Sequence, residues 1–302
     1  MMKALVYNSY GSVDVLSVHE VPTPTPGPDQ VVVKVAAASV NKGDTIVSSG
    51  SPFAVRLATG CVMRPKPNTI IGSDFAGIVS AVGDNVKTFA VGDEVYGQID
   101  FTRHGGAMAE YVCLGATDAI AIKPRNLSFA QAAAMPVAAQ TAFQALRDDG
   151  KLQSGSNVLV NGGSGGVGSF AIQLAKALGA AHVTAVCSSS HADAACSHGA
   201  DCVVDYEKED FTTTQNDVDV VIDLVGNQGL RKCCKVLKGD GTYVTAGGSP
   251  ETFLGRLFRL LTLRPFVSQR LVVSMLTPSQ ALLQTLAELA EENKVVPYPG
   301  PC

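Results

Sequence analysis

The chain has 302 residues, 46% of them apolar and only 17% charged, with a net charge of −4. That length allows two ordinary domains and a sizeable core, and the slightly acidic balance argues against a nucleic-acid partner, which would want a basic face. Cys233 and Cys234 are adjacent and the other six of the eight cysteines are scattered without a C-x-x-C pair, so neither a zinc knuckle nor a redox dithiol is indicated. Scattered cysteines in so large a chain read as reduced core residues.

The N-terminal residues MMKALVYNSYG run directly into a strand pattern, with no apolar signal core and no Arg-rich transit stretch. A long uncharged run, residues 126–146, carries three Gln and Pro136 and is too polar to cross a membrane. The expectation is a cytoplasmic protein in a reducing compartment, with no integral membrane segment. Residues 5–7 and the β-branched run 31–35 read as strands, joined by the stiff connector Pro22, Pro24, Pro26, Gly27, Pro28. Further strand-like pieces at 78–79, 86 and 95–96 are punctuated by Gly77, Gly83-Asp84 and Gly92-Asp93. The first third is therefore a small, mainly β domain.

From about Ser154 the rhythm changes to alternating strand and helix. Strands are predicted at 157–161, 182–187, 202–204, 218–225, 242–245 and 271–275. Between them, Val167, Phe170, Ala171, Leu174, Ala175 and Leu178 mark one face of a helix ended by Gly179. Shorter helices are expected at 191–198 and 230–237. Thr277-Pro278-Ser279-Gln280 reads as a capping box with Pro at the first helical position, opening a last helix with Leu282, Leu283, Leu286, Leu289 and Ala290 on one face. Alternation with short connections implies an α/β fold with a doubly wound parallel sheet.

The sharpest local signal is VLVNGGSGGVG at 158–168, in which Gly163, Gly165 and Gly168 satisfy G-x-G-x-x-G between a strand and a helix. Glycines there let the backbone approach a pyrophosphate, and the helix start offers unpaired N–H groups. The alternative is a glycine-rich turn without a ligand. An NAD site usually carries an acid about 20 residues on, where this chain has Cys187-Ser188-Ser189-Ser190-His191. Hydroxyls without an acid favour NADPH, although the same serines could simply cap the following helix.

With a mainly β domain before a loop that reads NGGSGGVG, the chain resembles the quinone oxidoreductase branch of the medium-chain dehydrogenase/reductase superfamily. The stretches Val40-Asn41-Lys-Gly-Asp44, Gly72-Ser-Asp74-Phe75-Ala-Gly77, Val91-Gly-Asp-Glu-Val-Tyr96-Gly97, Gly105-Gly106-Ala-Met-Ala-Glu110-Tyr111, Ala132-Ala-Ala-Met-Pro136 and Gly199-Ala-Asp201-Cys-Val-Val-Asp205-Tyr206 carry the resemblance in family order. It implies a GroES-like first domain over 1–123 and a Rossmann domain over 124–293, with 294–302 a remnant of a return to the first domain. By resemblance, Asn41 and Asp44 line the nicotinamide and substrate pocket. Thr141 contacts the middle of the cofactor, joining Gly163, Ser164, Gly165, Gly166, Val167 and Gly168. Ser188 and Tyr206 lie near the adenosine phosphate. Leu224, Val225, Gly226, Gly247 and Gly248 form strand-end loops beside the cofactor. A bland reading stands beside these: Asn41 and Asp44 could cap a turn, and Tyr206 could be an ordinary surface aromatic.

Metal is the main fork within that superfamily. Asn41 stands where the first ligand of zinc enzymes would be, Ser73-Asp74 where a His-Glu pair would be, and residues 136–143 contain no Cys or His. The thiolates and imidazoles that zinc prefers are missing, and His104, in a loop without a partner, reads as solvated. Without a Lewis acid, alcohol oxidation is hard. Hydride addition to the electrophilic carbon of a quinone or an α,β-unsaturated carbonyl needs mainly positioning. The expected function is an NADPH-dependent reductase of quinones, enones or alkenals, with a homodimer compatible. The competing readings are a cofactor-binding sensor or assembly partner of the same fold, and, less favoured, a methyltransferase. Two departures stand out. Residues 252–275 are apolar with interspersed Arg, suiting either a packed helix or a membrane-surface face. The chain also stops before the family's usual final helix and strand, which predicts an unpartnered strand edge in the first domain.

Overall fold

The computed structural model describes residues 1–100, 105–247 and 250–298. In chain order the strands are β1 (Met2–Tyr7), β2 (Leu16–Val21), β3 (Gln30–Ser39), β4 (Thr69–Ile70), β5 (Asp74–Val82), β6 (Glu94–Gln98), β7 (Tyr111–Gly115), β8 (Ile120–Ile122), β9 (Asn157–Asn161), β10 (His182–Cys187), β11 (Cys202–Asp205), β12 (Val218–Asp223), β13 (Leu237–Thr245) and β14 (Arg270–Val273). The helices are α1 (Lys42–Ser49), α2 (Phe53–Ala58), α3 (Phe129–Ala133), α4 (Pro136–Gln144), α5 (Gly166–Ala177), α6 (Ala192–Ser197), α7 (Phe211–Thr214), α8 (Leu230–Val236), α9 (Pro250–Leu263) and α10 (Gln280–Glu291). A π-helical turn, Ala145–Asp149, follows α4. No helix among the described residues is long and apolar enough to cross a membrane.

Two compact units emerge. One holds Met1–Val137, Thr277–Glu292 and the chain from Pro297 onward; the other holds Ala138–Leu276 and Asn293–Val296. The first is GroES-like and mainly β. Its five-stranded sheet has the order β7-β3-β5-β6-β8, and a smaller sheet has the order β2-β1-β4. Antiparallel neighbours let each strand bury one face, and Val31, Val33, Phe75, Val79, Val95 and Leu114 form that core. The β3–β5 pairing shifts register between Val32 and Val33 and again between Val35 and Ala37. Gly77 sits in this irregular stretch, where a Cβ would lie 2.1 Å from the Lys34 carbonyl oxygen; only glycine allows the strands to approach so closely there.

The second unit is a six-stranded parallel sheet in the order β11-β10-β9-β12-β13-β14, the doubly wound arrangement expected from the alternation of elements. The centre of the sheet is apolar because both faces are covered; Val158, Leu159 and Val160 of β9 are all buried. α5 buries Phe170, Ala171, Leu174 and Ala175 as its periodicity predicts, and Ile172 and Gln173 as well. α9 buries Leu260 and leaves Phe258 and Leu261 exposed.

Two features differ from the sequence reading. The cap of α10 is Ser279, whose hydroxyl accepts from the Leu282 N–H, so Thr277 and Pro278 precede the helix rather than open it. The unit boundary falls at 137/138 instead of 123/124, and α10 belongs with the first unit rather than the second. Hydrogen bonding explains the assignment. The Tyr96 hydroxyl donates to the Leu283 carbonyl at 2.6 Å, Gln280 Nε2 to the Ile120 carbonyl at 2.9 Å, and Asn126 Nδ2 to the Ala290 carbonyl at 2.8 Å. Tyr96 is fully buried, and a buried hydroxyl without that acceptor would cost about 1–3 kcal/mol. The apolar periodicity of α10 says that it must pack, but not against which sheet.

Candidate functional site

In the first unit the polar residues gather where β3 hands over to α1. Ser39, the last residue of β3, is in register with Asp74, the first residue of β5. Two residues after Ser39, Asn41 takes the extended N-cap conformation of α1. Its backbone N–H donates to Asp44 Oδ2 at 2.7 Å, the N3 half of a capping box. Its side-chain Nδ2 donates to Asp74 Oδ2 at 3.0 Å. The Ser73 hydroxyl donates to Asp44 Oδ1 at 3.1 Å, which closes a ring of hydrogen bonds through the Ser73-Asp74 backbone.

Asp74 also accepts from the Ser39 hydroxyl at 3.2 Å and from the Val137 N–H, at 3.1 and 3.2 Å to its two oxygens. Val137 is the second residue of α4, so the carboxylate occupies the positive end of that helix. The side chain is wholly buried. Burial raises its pKa to about 7, against the lowering effect of the Asn41, Val137 and Ser39 bonds and with a smaller raising effect from the charge of Asp44. Burial likewise pushes the Asp44 carboxyl above its ordinary value, opposed by the Asn41 and Ser73 bonds. Carboxylates, hydroxyls and a carboxamide compose the cluster, with no thiolate or imidazole. Its carboxylates are engaged by N–H and O–H donors, and no group of three or more His, Cys, Asp or Glu among the described residues could hold a metal. The donor set does not fit a zinc ion.

In the second unit the ends of β9, β12 and β13 converge. The N–H groups of Gly162 and Gly163 both donate to the Val186 carbonyl, pinning the glycine loop to β10. A Cβ on Gly168 would lie 2.1 Å from the Gly162 carbonyl oxygen, and one on Gly247 2.5 Å from the Leu224 carbonyl oxygen. Gly163 is buried, whereas Ser164, Gly165 and Gly166 are exposed and Val167 is half-buried. Gly165 caps α5 without a side-chain bond, so the first N–H groups of that helix remain for a ligand. Thr141 is half-buried on α4, and Ala138, one turn before it, approaches Gly166.

The loop after β12 is held by Asp223. Its Oδ1 accepts from Asn161 Nδ2, the Val225 N–H and the Gly226 N–H at 2.9, 3.1 and 2.8 Å, while the Tyr243 hydroxyl donates to Oδ2. This places Leu224 and Val225 against the glycine loop, where a Cβ on Gly162 would meet Val225 at 2.9 Å. The backbone geometry and uncapped helix start fit a dinucleotide.

At the end of β10, the Ser188 hydroxyl lies 2.9 Å from both Ser190 Oγ and His191 Nδ1. Tyr206 follows β11 and is exposed beside this cluster, its N–H donating to the Cys187 carbonyl. Two groups that the sequence pattern does not reveal join them. Asp205, at the end of the neighbouring strand β11, accepts from the Ser189 hydroxyl, and Lys208 Nζ lies 2.8 Å from Ser189 Oγ and 3.1 Å from Asp205. The second strand ends without an acid, but the third supplies one, together with the cation that neutralises it. Parallel pairing of Cys187 with Asp205 makes them neighbours. Ser73, Asp74, Asn161 and Asp223 are likewise residues that the motifs do not pick out as functional. Each is a buried polar residue at the end of a strand or beside it, which is the signal that could have found them. Gly248 and His104 lie outside the described residues.

Residues 27–124 match the alcohol dehydrogenase GroES-like domain, and residues 166–292 match the zinc-binding dehydrogenase domain. The chain is 42% identical over 255 residues to the 2-methylene-furan-3-one reductase of Solanum lycopersicum, covering 82% of this chain and 63% of that protein, so it spans less than two thirds of that relative's length. It is 33% identical to the chloroplast envelope quinone oxidoreductase homolog of Arabidopsis thaliana, covering 98% of this chain and 89% of that protein. The quinone oxidoreductase from Coxiella burnetii superposes with a TM-score of 0.85 at 33% identity, over 97% of this chain and 88% of that one.

Proposed function

This chain belongs to the medium-chain dehydrogenase/reductase superfamily, and from that premise we propose that it is an NADPH-dependent reductase of quinones or α,β-unsaturated carbonyl compounds that works without a metal. The observation that carries the reading is the makeup of the Asn41–Asp44–Ser73–Asp74 ring: a hydrogen-bonding cluster stands where the superfamily's zinc enzymes place metal ligands. The names of two relatives agree with the substrate class, since a 2-methylene-furan-3-one is an enone and the other is a quinone oxidoreductase homolog.

NADPH, when bound, supplies the hydride. The chain's own work is to bind, orient and stabilise charge. Gly163, Gly165 and Gly168, with the first N–H groups of α5, hold the pyrophosphate. Thr141, Leu224, Val225, Gly226 and Gly247 line the middle and nicotinamide end. Ser188, Tyr206 and Lys208 hold the ribose phosphate, a preference for NADPH that the neutralised Asp205 does not oppose. As hydride reaches the electrophilic carbon, negative charge develops on the substrate oxygen. Asn41 has two side-chain N–H bonds and gives one to Asp74; its second donates to that oxygen. Asp44 fixes the Asn41 backbone. The product oxygen or α-carbon takes its proton from water.

The test is oxidation of NADPH by a panel of quinones, enones and alkenals, before and after treatment with a chelator, with NADP⁺ plus simple alcohols as the contrast. The expected result is turnover of the first group, unchanged by the chelator, and none of the alcohols. Cofactor binding without any turnover supports the sensor reading instead, and one tightly held zinc needed for activity overturns the metal-free mechanism.

A further inference from the structure

Asp74 is wholly buried, and its donors come from three separate parts of the chain: the end of β3, the N-cap of α1 and the first turn of α4. A carboxylate offers only acceptor sites, about four of them. An Asn in its place would turn an NH₂ group toward at least one of those donors. The position therefore suits a carboxylate better than a carboxamide, although burial disfavours the charge. Buried ion and hydrogen-bond clusters that could be replaced by apolar packing are weak contributors to stability. A retained costly anion points to a role in the site.

Resting on the reading of Asn41 as a donor to substrate, we propose that Asp74 is a positioning residue: its carboxylate holds the Asn41 carboxamide and the first turn of α4 in one arrangement, leaving the second Nδ2–H of Asn41 to meet the substrate oxygen. Asp74 does not touch substrate. It fixes the rotation of a side chain that does, because an amide anchored through one N–H has the direction of the other determined by its plane. The adjoining Ser73–Asp44 bond and the Asn41–Asp44 bond fix the backbone that carries the same side chain. The groups that face Asp74 are Ser39 from β3, Asn41 and Asp44 from the start of α1, and the Val137 N–H from α4; of these only Asp44 carries charge. Protonation of Asp74 replaces an acceptor with an O–H donor and loosens Asn41, so the ring sets a lower pH limit to turnover.

The experiment combines kinetics with nuclear magnetic resonance on the full chain. In the wild type, the Asn41 side-chain amide and the Val137 backbone amide should titrate together with a midpoint at about 7; Asp74→Asn should abolish the transition in both. Asp74→Asn should lower kcat about 10-fold, less than the roughly 100- to 1000-fold cost of removing a charge-stabilising donor outright, with the NADPH dissociation constant within about two-fold of wild type. Asn41→Ala should lower kcat at least as much, and the double variant should be no slower than Asn41→Ala alone, since Asp74 acts through Asn41. Additive losses with a functional Asn41 overturn the positioning role alone. A silent Asn41→Ala overturns the reading of Asn41, and with it this role. If Asp74→Asn fails to fold, Ser39→Ala removes one bond that favours the anion, and the shared midpoint should rise; separate or unmoved midpoints sink the inference.

Discussion

The two units build their share of the chemistry in opposite ways. The second does so by leaving side chains out: Gly168 and Gly247 exist because a Cβ at either would collide with a carbonyl oxygen. The first does so by burying polar side chains and satisfying them against each other. A buried aspartate anchors each region, and the contrast persists there. Asp223 takes two of its donors, the Val225 and Gly226 N–H groups, from the three residues that follow it. Asp74 draws on residues 33 to 63 positions away. A glycine-built loop is governed by sterics. A ring of buried carboxylates must respond to protons.

The largest effect should follow from Gly168→Ala. The new Cβ overlaps the Gly162 carbonyl, so the loop must move. NADPH affinity should fall beyond about 100-fold, with roughly 1–3 kcal/mol of stability lost to overpacking. Fluorescence titration and thermal unfolding measure these, and wild-type affinity would show that the loop is not built on close approach. Next comes the pH response of the first unit. The folded pKa of Asp74 is raised from 3.8 to about 7, so its contribution to stability is fully present below 3.8 and is lost as pH rises through 7. The slope is about 1.4 kcal/mol per pH unit between those limits, and the upward shift at Asp44 acts in the same sense. Asp74→Asn should flatten this dependence, becoming relatively more stable at pH 8 than at pH 5; denaturant unfolding at the two pH values decides it, and parallel curves refute the shift.

Asp223→Asn sharpens the comparison from the other side. It weakens the acceptor for Val225 and Gly226 N–H, and should cost about 10-fold in NADPH affinity, the equivalent of one charge-assisted hydrogen bond, while the rate at saturating cofactor stays near wild type. A lowered kcat with intact affinity would mean that the two aspartates serve the same step. The smallest effect is expected at the phosphate end. Lys208→Ala should weaken NADPH binding about 5-fold and leave NADH unchanged, whereas Ser188→Asp should reverse the preference by repulsion. Equal losses for both cofactors would remove Lys208 from the site.

The same contrast explains what can be read in the sequence. Glycine spacing is local, so the loop, the strand at Asn157–Asn161 and the helix after it are legible in the order of residues alone. So is the pairing of Asn41 with Asp44, three residues apart at a helix start. Asp74 is legible only as a place where metal ligands are missing, because its role depends on β3–β5 register and on a helix that begins at Pro136. Lys208 escapes for a related reason: parallel pairing of β10 with β11 sets it beside Ser189, and no local pattern records that pairing. The assignment of α10 to the first unit is hidden because amphipathic spacing identifies a buried face without identifying its cover.

That helix has a consequence for how the chain is made. Tyr96 and Asn126 find their acceptors on Leu283 and Ala290, 187 and 164 residues later. During synthesis, at about 5–20 residues per second, the N-terminal 137 residues are made first yet must wait roughly ten seconds or more for their closing piece, because every strand of the parallel sheet is made in between. The sheet unit is thus an insert that can fold inside a host that is not yet finished. Nascent chains halted after residue 276 should protect β9 and β12 from protease while β6 and β8 are still cut. Equal protection of both would show that the first unit closes without its last helix.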